Sequence, residues 1–370
     1  MKVGLNATCF NDRPSGARKR FVGIYGELVK RLPDTEFIIF EPVGSKVTAW
    51  FHELPNILAR PTPIPNQGRL RKFSAGIRYW PNELTLDSFD LFECFNMPLV
   101  KSPSGKTLLT VHDIRGMHSE KGVLDRAIFK EVLGRSFKTA NHLITVSETM
   151  KKEILGFFPN ISISVIYNGL DAREFEQISE SDLRAFQKKY RLPESFALTV
   201  GHFEKRKNYL RLIDAMALLR DRGITCPLLI IGNDSGERKA VEAHMASVNI
   251  RDSVKLLSGL TDHEVLCAYK LCCLFVFPSS YEGFGIPILE AMAAGKPMVL
   301  SDLSVFREIT QNKCIYFPHD DVEEMASIIE IGLSSRSERA RLVKFGTARV
   351  KDFSFPNLAA QLEVLYRSLE

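Results

Sequence analysis

No stretch of the 370 residues approaches eighteen uninterrupted apolar positions, so a membrane-spanning helix is not expected. The opening Met1-Lys2-Val3-Gly4-Leu5-Asn6-Ala7 lacks the charged start and long apolar middle of a secretory leader, which makes a cytosolic chain the expectation. Cysteine is sparse: seven residues, an odd number, contain no Cys-x-x-Cys pair and give neither a disulfide framework nor a zinc-finger spacing. Cys272 and Cys273 are instead expected to fill a buried strand. No tandem repeat or low-complexity tract interrupts the chain. No helix-turn-helix, zinc or RNA-recognition signature accompanies its basic residues, which excludes nucleic acid as the expected partner.

What is present is an ordinary globular composition, 45% hydrophobic and 25% charged. The length exceeds what one hydrophobic core usually supports, so two domains are expected. Charge is divided unevenly between them. The first 170 residues carry 23 Lys and Arg against 16 Asp and Glu, whereas the remainder carries 26 against 28. The basic residues of the first half fall beside apolar and aromatic ones, in Arg18-Lys19-Arg20-Phe21, Arg69-Leu70-Arg71-Lys72-Phe73 and Arg78-Tyr79-Trp80. Two readings fit them: contact with anionic lipid, or a solvated surface.

Short β-branched runs at 2–7, 36–40, 91–94, 107–111 and 142–146 alternate with helical periodicity at 17–32 and 120–139 and with a helix at 148–157 capped by Ser147. The pattern restarts with strands at 197–200, 228–232, 254–257, 273–277 and 298–301. Strand-helix alternation of this kind predicts an α/β chain with a doubly wound parallel sheet in each half. The turn-forming Asn168-Gly169-Leu170-Asp171 supplies a boundary. Residues 61–68, rich in Pro, Asn and Gly, read as a long loop.

The segment most informative for chemistry is Ser280-Tyr281-Glu282-Gly283-Phe284-Gly285-Ile286-Pro287-Ile288-Leu289-Glu290-Ala291-Met292, followed by Gly295-Lys296-Pro297. Gly283 and Gly285 permit a tight turn, and Pro287 suits the first turn of a helix whose free amides and dipole favour an anion such as diphosphate. Carboxylates at Glu282 and Glu290 beside such an anion make sense if they grip hydroxyls, which points to a sugar. A second cluster, Gly201-His202-Phe203-Glu204-Lys205-Arg206-Lys207-Asn208, gathers cations where a strand gives way to a helix. In the first half, His112-Asp113 ends a buried strand, the place where parallel sheets hold ligands.

The glutamate segment resembles the Glu-x7-Glu signature of glycosyltransferase family 4, retaining enzymes of α/β GT-B fold with two Rossmann-like doubly wound domains facing an interdomain cleft. The resemblance extends to the Arg206-Lys207-Asn208 loop, to His112-Asp113, to 145–148, 168–171 and 353–355, and to the final helix. It implies an acceptor-side domain over 1–168, joined by a terminal helix at 356–370, and a donor-binding domain over 169–355. It further implies that Glu282 faces the transferred sugar and Glu290 the ribose. Arg206 and Lys207 would neutralise the leaving diphosphate, the amides of Gly283, Phe284, Gly285 and Ile286 would hold phosphate or sugar hydroxyls, and His112 would lie by the reacting sugar with Asp113 supporting it. Gly16 occupies the place of the family's N-terminal glycine loop, although Ser15 stands where a second glycine is common, and His202 stands where Arg or Thr is common. No Asp-x-Asp metal motif is present.

The resemblance thus implies a hexosyltransferase with no metal and no permanently bound cofactor. Its co-substrate would be a nucleotide sugar, GDP-mannose before UDP-linked sugars, on likeness to bacterial mannosyltransferases of surface-polysaccharide assembly. The acceptor would be a saccharide or lipid-linked saccharide in lipopolysaccharide, O-antigen or exopolysaccharide synthesis, with peripheral contact to the inner membrane. The alternatives are a UDP-sugar enzyme of the same fold, a non-catalytic sugar-nucleotide-binding protein, and a GT-B epimerase, whose motif set differs.

Overall fold

Four-residue runs such as Leu228-Leu229-Ile230-Ile231 and Leu274-Phe275-Val276-Phe277 are buried throughout, which suits strands covered by helices on both faces. The computed structural model describes residues 1–11, 15–51, 54–95, 99–118 and 122–370, without the side chains of 69, 70, 73 and 123. It resolves into two compact units, Met1–Gly169 with Phe355–Glu370, and Leu170–Ser354.

In the first unit, strands β1 (Lys2–Asn6), β2 (Glu36–Val43), β3 (Ile57–Pro65), β4 (Leu91–Cys94), β5 (Lys106–Val111), β6 (His142–Thr145) and β7 (Ile163–Val165) form one sheet in the order β3-β2-β1-β4-β5-β6-β7. In the second, β8 (Ala197–Val200), β9 (Leu228–Ile231), β10 (Val254–Leu257), β11 (Leu274–Phe277), β12 (Met298–Ser301) and β13 (Ile315–Phe317) follow the order β10-β9-β8-β11-β12-β13. All pairings between these strands are parallel. Each sheet is a doubly wound Rossmann arrangement whose winding reverses between its first and fourth strands, and such sheets bind ligands at that reversal, beyond the carboxyl ends of the strands.

Three expectations need correction. Residues 61–65 are not loop but the end of β3, which pairs with β2. Prolines at 61, 63 and 65 share one parity, so their missing N–H groups lie on one side of the strand, the side that an edge position leaves free. Cys272 and Cys273 precede β11, which starts at Leu274. Arg20 belongs to no surface patch: it is 1% exposed, and its Nη2 donates to the Ile166 carbonyl at 3.2 Å.

The terminal helix, Phe355–Leu369, contributes Leu358, Leu362 and Tyr366 to the core of the first unit. Its Phe355 ring lies so close over Gly23 that an added Cβ there would stand 2.3 Å from it, so glycine is needed for the approach. Among the described residues no helix is long and apolar enough to cross a membrane.

Candidate functional site

In the second unit the reversal point lies between β8 and β11, and the two segments singled out in the sequence leave the carboxyl ends of these strands. After β8 the chain passes through Gly201 to a single 3-10 turn, Lys205–Lys207. That turn ends at Asn208, whose left-handed φ of 58° starts the helix Tyr209–Asp221. After β11 the chain runs from Pro278 to Gly285, whose φ of 126° favours glycine, and then into the helix Ile286–Ala293 with Pro287 in its first turn.

The two loops are laced together at backbone level. Ser280 donates its N–H to the Arg206 carbonyl at 2.8 Å, and its hydroxyl donates to the same oxygen at 3.2 Å. Arg206 Nη1 donates in return to the Tyr281 carbonyl at 3.2 Å. Charge completes the junction. Glu282 Oε1 receives Lys207 Nζ at 2.6 Å and Arg206 Nη1 at 2.7 Å, and the Ser279 hydroxyl donates to it at 2.9 Å. Arg206 also reaches Glu204 through Nε at 2.7 Å.

Lys207 is only 6% exposed, with its ammonium 4.8 Å from the centre of the Phe277 ring. Its side chain passes over Gly201, where an added Cβ would stand 2.7 Å from Lys207 Cε. Burial by itself would raise the Glu282 carboxyl, but the charges of Lys207 and Arg206 outweigh it and hold the group below the usual carboxylate range. Burial pulls the Lys207 ammonium below its ordinary value despite the opposing charge of Glu282. The site is therefore an ionised cluster at a strand end, able to meet an anion through its cations and hydroxyls through its carboxylate.

Glu290 lies in the fifth position of the helix that follows and is 6% exposed. Burial, and after it the charge of Glu290, push the Tyr269 hydroxyl well up. Gly283, Phe284 and Gly285 form the turn between the two glutamates, with Phe284 packed edge-on to Phe353. Ile286 opens the helix.

The first unit holds the remaining sequence-identified residues. Gly16 begins the helix Gly16–Arg20, behind Ser15, whose hydroxyl accepts from the Arg18 N–H at 3.2 Å. The preceding Arg13 and Pro14 lie outside the described residues. His112 follows β5 directly; burial and then the Arg20 charge push its imidazole down to about 3, so it is neutral at physiological pH. Asp113 does not brace it: the carboxylate accepts from the Arg115 N–H at 3.2 Å and faces the Arg115 guanidinium at 3.7 Å. Among the described residues no group of three or more His, Cys, Asp or Glu side chains is placed to hold a metal ion.

Sequence reasoning passed over Glu204, Ser279 and Gly201. The signal for Gly201 was its place one residue beyond β8. Nothing local marks Ser279 as a partner of Glu282.

Two family models match the chain, one in each half: "Glycosyltransferase Family 4" over residues 31–174 and "Glycosyl transferases group 1" over residues 182–349. The O-antigen chain mannosyltransferase RfbU of Salmonella typhimurium is 29% identical over 236 residues, 63% of this chain and 62% of that protein. The serotype-specific mannosyltransferase WbdA of Escherichia coli is 28% identical over 263 residues, 69% of this chain but 32% of that protein. The match therefore spans less than two thirds of either relative. Among solved structures, HepE of Anabaena in complex with UDP and glucose superimposes with a TM-score of 0.74 at 17% identity, covering 100% of both chains. With a Rossmann-like sheet in each unit and a family model on each half, the chain belongs to the GT-B glycosyltransferases, family 4 in its first part and group 1 in its second.

Proposed function

We propose that this glycosyltransferase moves a hexose, mannose from GDP-mannose, to a hydroxyl of a saccharide or lipid-linked saccharide in O-antigen, lipopolysaccharide or exopolysaccharide synthesis, with retention of the anomeric configuration. The observation that carries the reading is the junction of Arg206, Lys207 and Glu282 at the adjoining ends of β8 and β11. The mannosyltransferase names of RfbU and WbdA support the sugar.

Arg206 and Lys207 meet the diphosphate as its bond to the anomeric carbon breaks, where the growing negative charge gives them most effect. The amides of Gly283, Phe284, Gly285 and Ile286 add donors at the head of the helix. Glu282, held ionised, accepts from hydroxyls of the transferred sugar, and Glu290 accepts from the ribose. Gly16 and the neutral His112 are the contributions of the first unit, to the donor phosphates and to the reacting sugar respectively. The acceptor oxygen bonds to the anomeric carbon, and its proton passes to the leaving diphosphate on the same face. Donor binding proceeds without a metal. The enzyme works in the cytoplasm, with Arg18, Lys19, Arg71 and Lys72 available for anionic lipid on the inner membrane face.

A second reading, a UDP-linked donor, is favoured by one observation, the UDP and glucose held by HepE. Thermal midpoints with GDP and UDP, together with product analysis on GDP-mannose and UDP-glucose, separate the two. Stabilisation by GDP and mannosyl transfer are expected; stabilisation by UDP alone reverses the donor assignment. Binding without product from any donor would support the non-catalytic alternative. Glu290→Ala is expected to weaken binding of the preferred nucleotide by about 1–3 kcal/mol, and unchanged affinity in calorimetry removes Glu290 from the site.

A further inference from the structure

At the opposite end of the strands of the second sheet, the amino ends of β11 and β12 and the start of the helix Arg336–Arg349 border an open cleft of about 760 Å³. Four cations line it, Lys296, Arg336, Arg339 and Lys344, and no carboxylate does. Lys296 belongs to the Gly-Lys-Pro segment, which the transfer reaction leaves without a task.

Like charges gathered in a cleft repel one another unless acids offset them. Here none does so: among the described residues, no ion pair involves any of the four cations. The nearest acid of the helix, Glu338, is taken by Arg341 at 2.7 Å. Arg339 is held in place by carbonyls instead, donating to Leu333 at 3.3 Å and to Cys273 at 3.4 Å. Lys296 and Arg339 are half-buried and form the base, while Arg336 and Lys344 stand exposed at the rim. Burial and the charges of Lys270 and Arg339 lower the Lys296 ammonium, with the Cys272 and Cys273 thiols opposing. The N–H groups of the helix start add positive potential on the same side.

We infer that this cleft is a second anion site, independent of the transfer reaction, and that it takes a phosphate-bearing ligand. Its volume exceeds that of free phosphate, and Pro297, Ala340 and Val343 supply an apolar wall. The ligand is therefore a phosphate ester whose organic part rests on that wall, either a soluble sugar phosphate or the headgroup of an anionic phospholipid.

The test compares the parent with the double variant Arg336→Gln, Lys344→Gln, both rim positions away from the transfer machinery, and with Lys296→Gln. Thermal midpoints are read in sodium phosphate, glucose 6-phosphate and pyrophosphate against sodium chloride of equal ionic strength. Binding at the β8–β11 loops is common to parent and variants and cancels in the difference. Sedimentation with phosphatidylcholine vesicles, with and without phosphatidic acid, forms the second arm. The expected result is a midpoint rise in the parent at least twice that of either variant. A difference confined to soluble phosphates identifies a metabolite, and one confined to phosphatidic acid vesicles identifies a headgroup. Equal responses of parent and variants in every arm overturn the proposal.

Discussion

Each unit holds a glutamate near the reversal point of its sheet whose carboxyl is shifted, and the two are pushed in opposite directions. Glu93 on β4 is wholly buried and surrounded by hydroxyls: Tyr25 donates to Oε1 at 2.6 Å, Thr110 to the same oxygen, and Tyr366 to Oε2 at 2.5 Å. Burial raises its carboxyl above the usual range even against those three donors and the Arg20 charge. Glu282, with 11% of its side chain exposed, is held below that range because it touches two cations. Neutral donors offset only part of the desolvation of a carboxylate, whereas adjoining full charges can exceed it. The difference separates a structural carboxylate, which fastens the terminal helix to its sheet, from one kept ionised at a strand end.

The largest effect is expected from breaking the charge pair. Lys207→Ala leaves Glu282 with one cation instead of two in a nearly enclosed place. A loss of about 3 kcal/mol in denaturant unfolding is expected, since removing one member of a buried pair strands its partner. A loss below about 1 kcal/mol, the value of an exposed pair, would show that solvent already screens the cluster. Next comes Tyr366→Phe, which deprives a buried oxygen of Glu93 of its donor. About 1–3 kcal/mol is expected, together with earlier proteolysis of the terminal helix. Smaller again is Ser279→Ala, at about 1 kcal/mol, because Lys207 and Arg206 still satisfy Glu282 when the hydroxyl is gone. If Ser279→Ala costs more than Tyr366→Phe, cations are not what distinguishes the two sites.

The sequence made most of the sheet legible because strands buried on both faces are uniformly apolar, as at 228–231 and 274–277. It obscured β3, where three prolines in a short span imitate a loop, and the three-residue strands β7 and β13, too short to show a period. At the site, Glu282, Arg206 and Lys207 stood out by type and spacing. Their direct contact did not, because it joins loops 75 residues apart. Burial was harder still. Lys207 and Arg20 sit in runs of basic residues that read as surface, yet each is the member of its run that turns inward. The Glu93 cluster left no trace at all, since the bond from Tyr366 spans 273 residues and each participant has an unremarkable local setting.

The smallest effect, and the most direct test of the contrast, is the sign of the pH dependence. Glu282 has a native value below its unfolded one. It therefore adds stability above the ordinary carboxyl range, near 4.3, and loses it as pH falls through the native value. Glu93 has a native value above its unfolded one, so its contribution is complete below that range and is lost as pH rises through the native value. Neither Glu282→Gln nor Glu93→Gln titrates at its altered position, so subtracting each variant from the parent isolates one carboxyl. Unfolding free energies measured from strongly acidic pH, below the ordinary carboxyl range where Glu282 titrates, up to neutral pH, where the loss from Glu93 is read, should give two difference curves of opposite slope. The parent's advantage over Glu282→Gln should shrink toward acid, and its standing against Glu93→Gln should worsen toward neutral pH. Two slopes of the same sign would mean that Arg20 reaches Glu93 strongly enough to act as a paired cation, and the distinction between hydroxyl-held and cation-held carboxylates would fail in this protein.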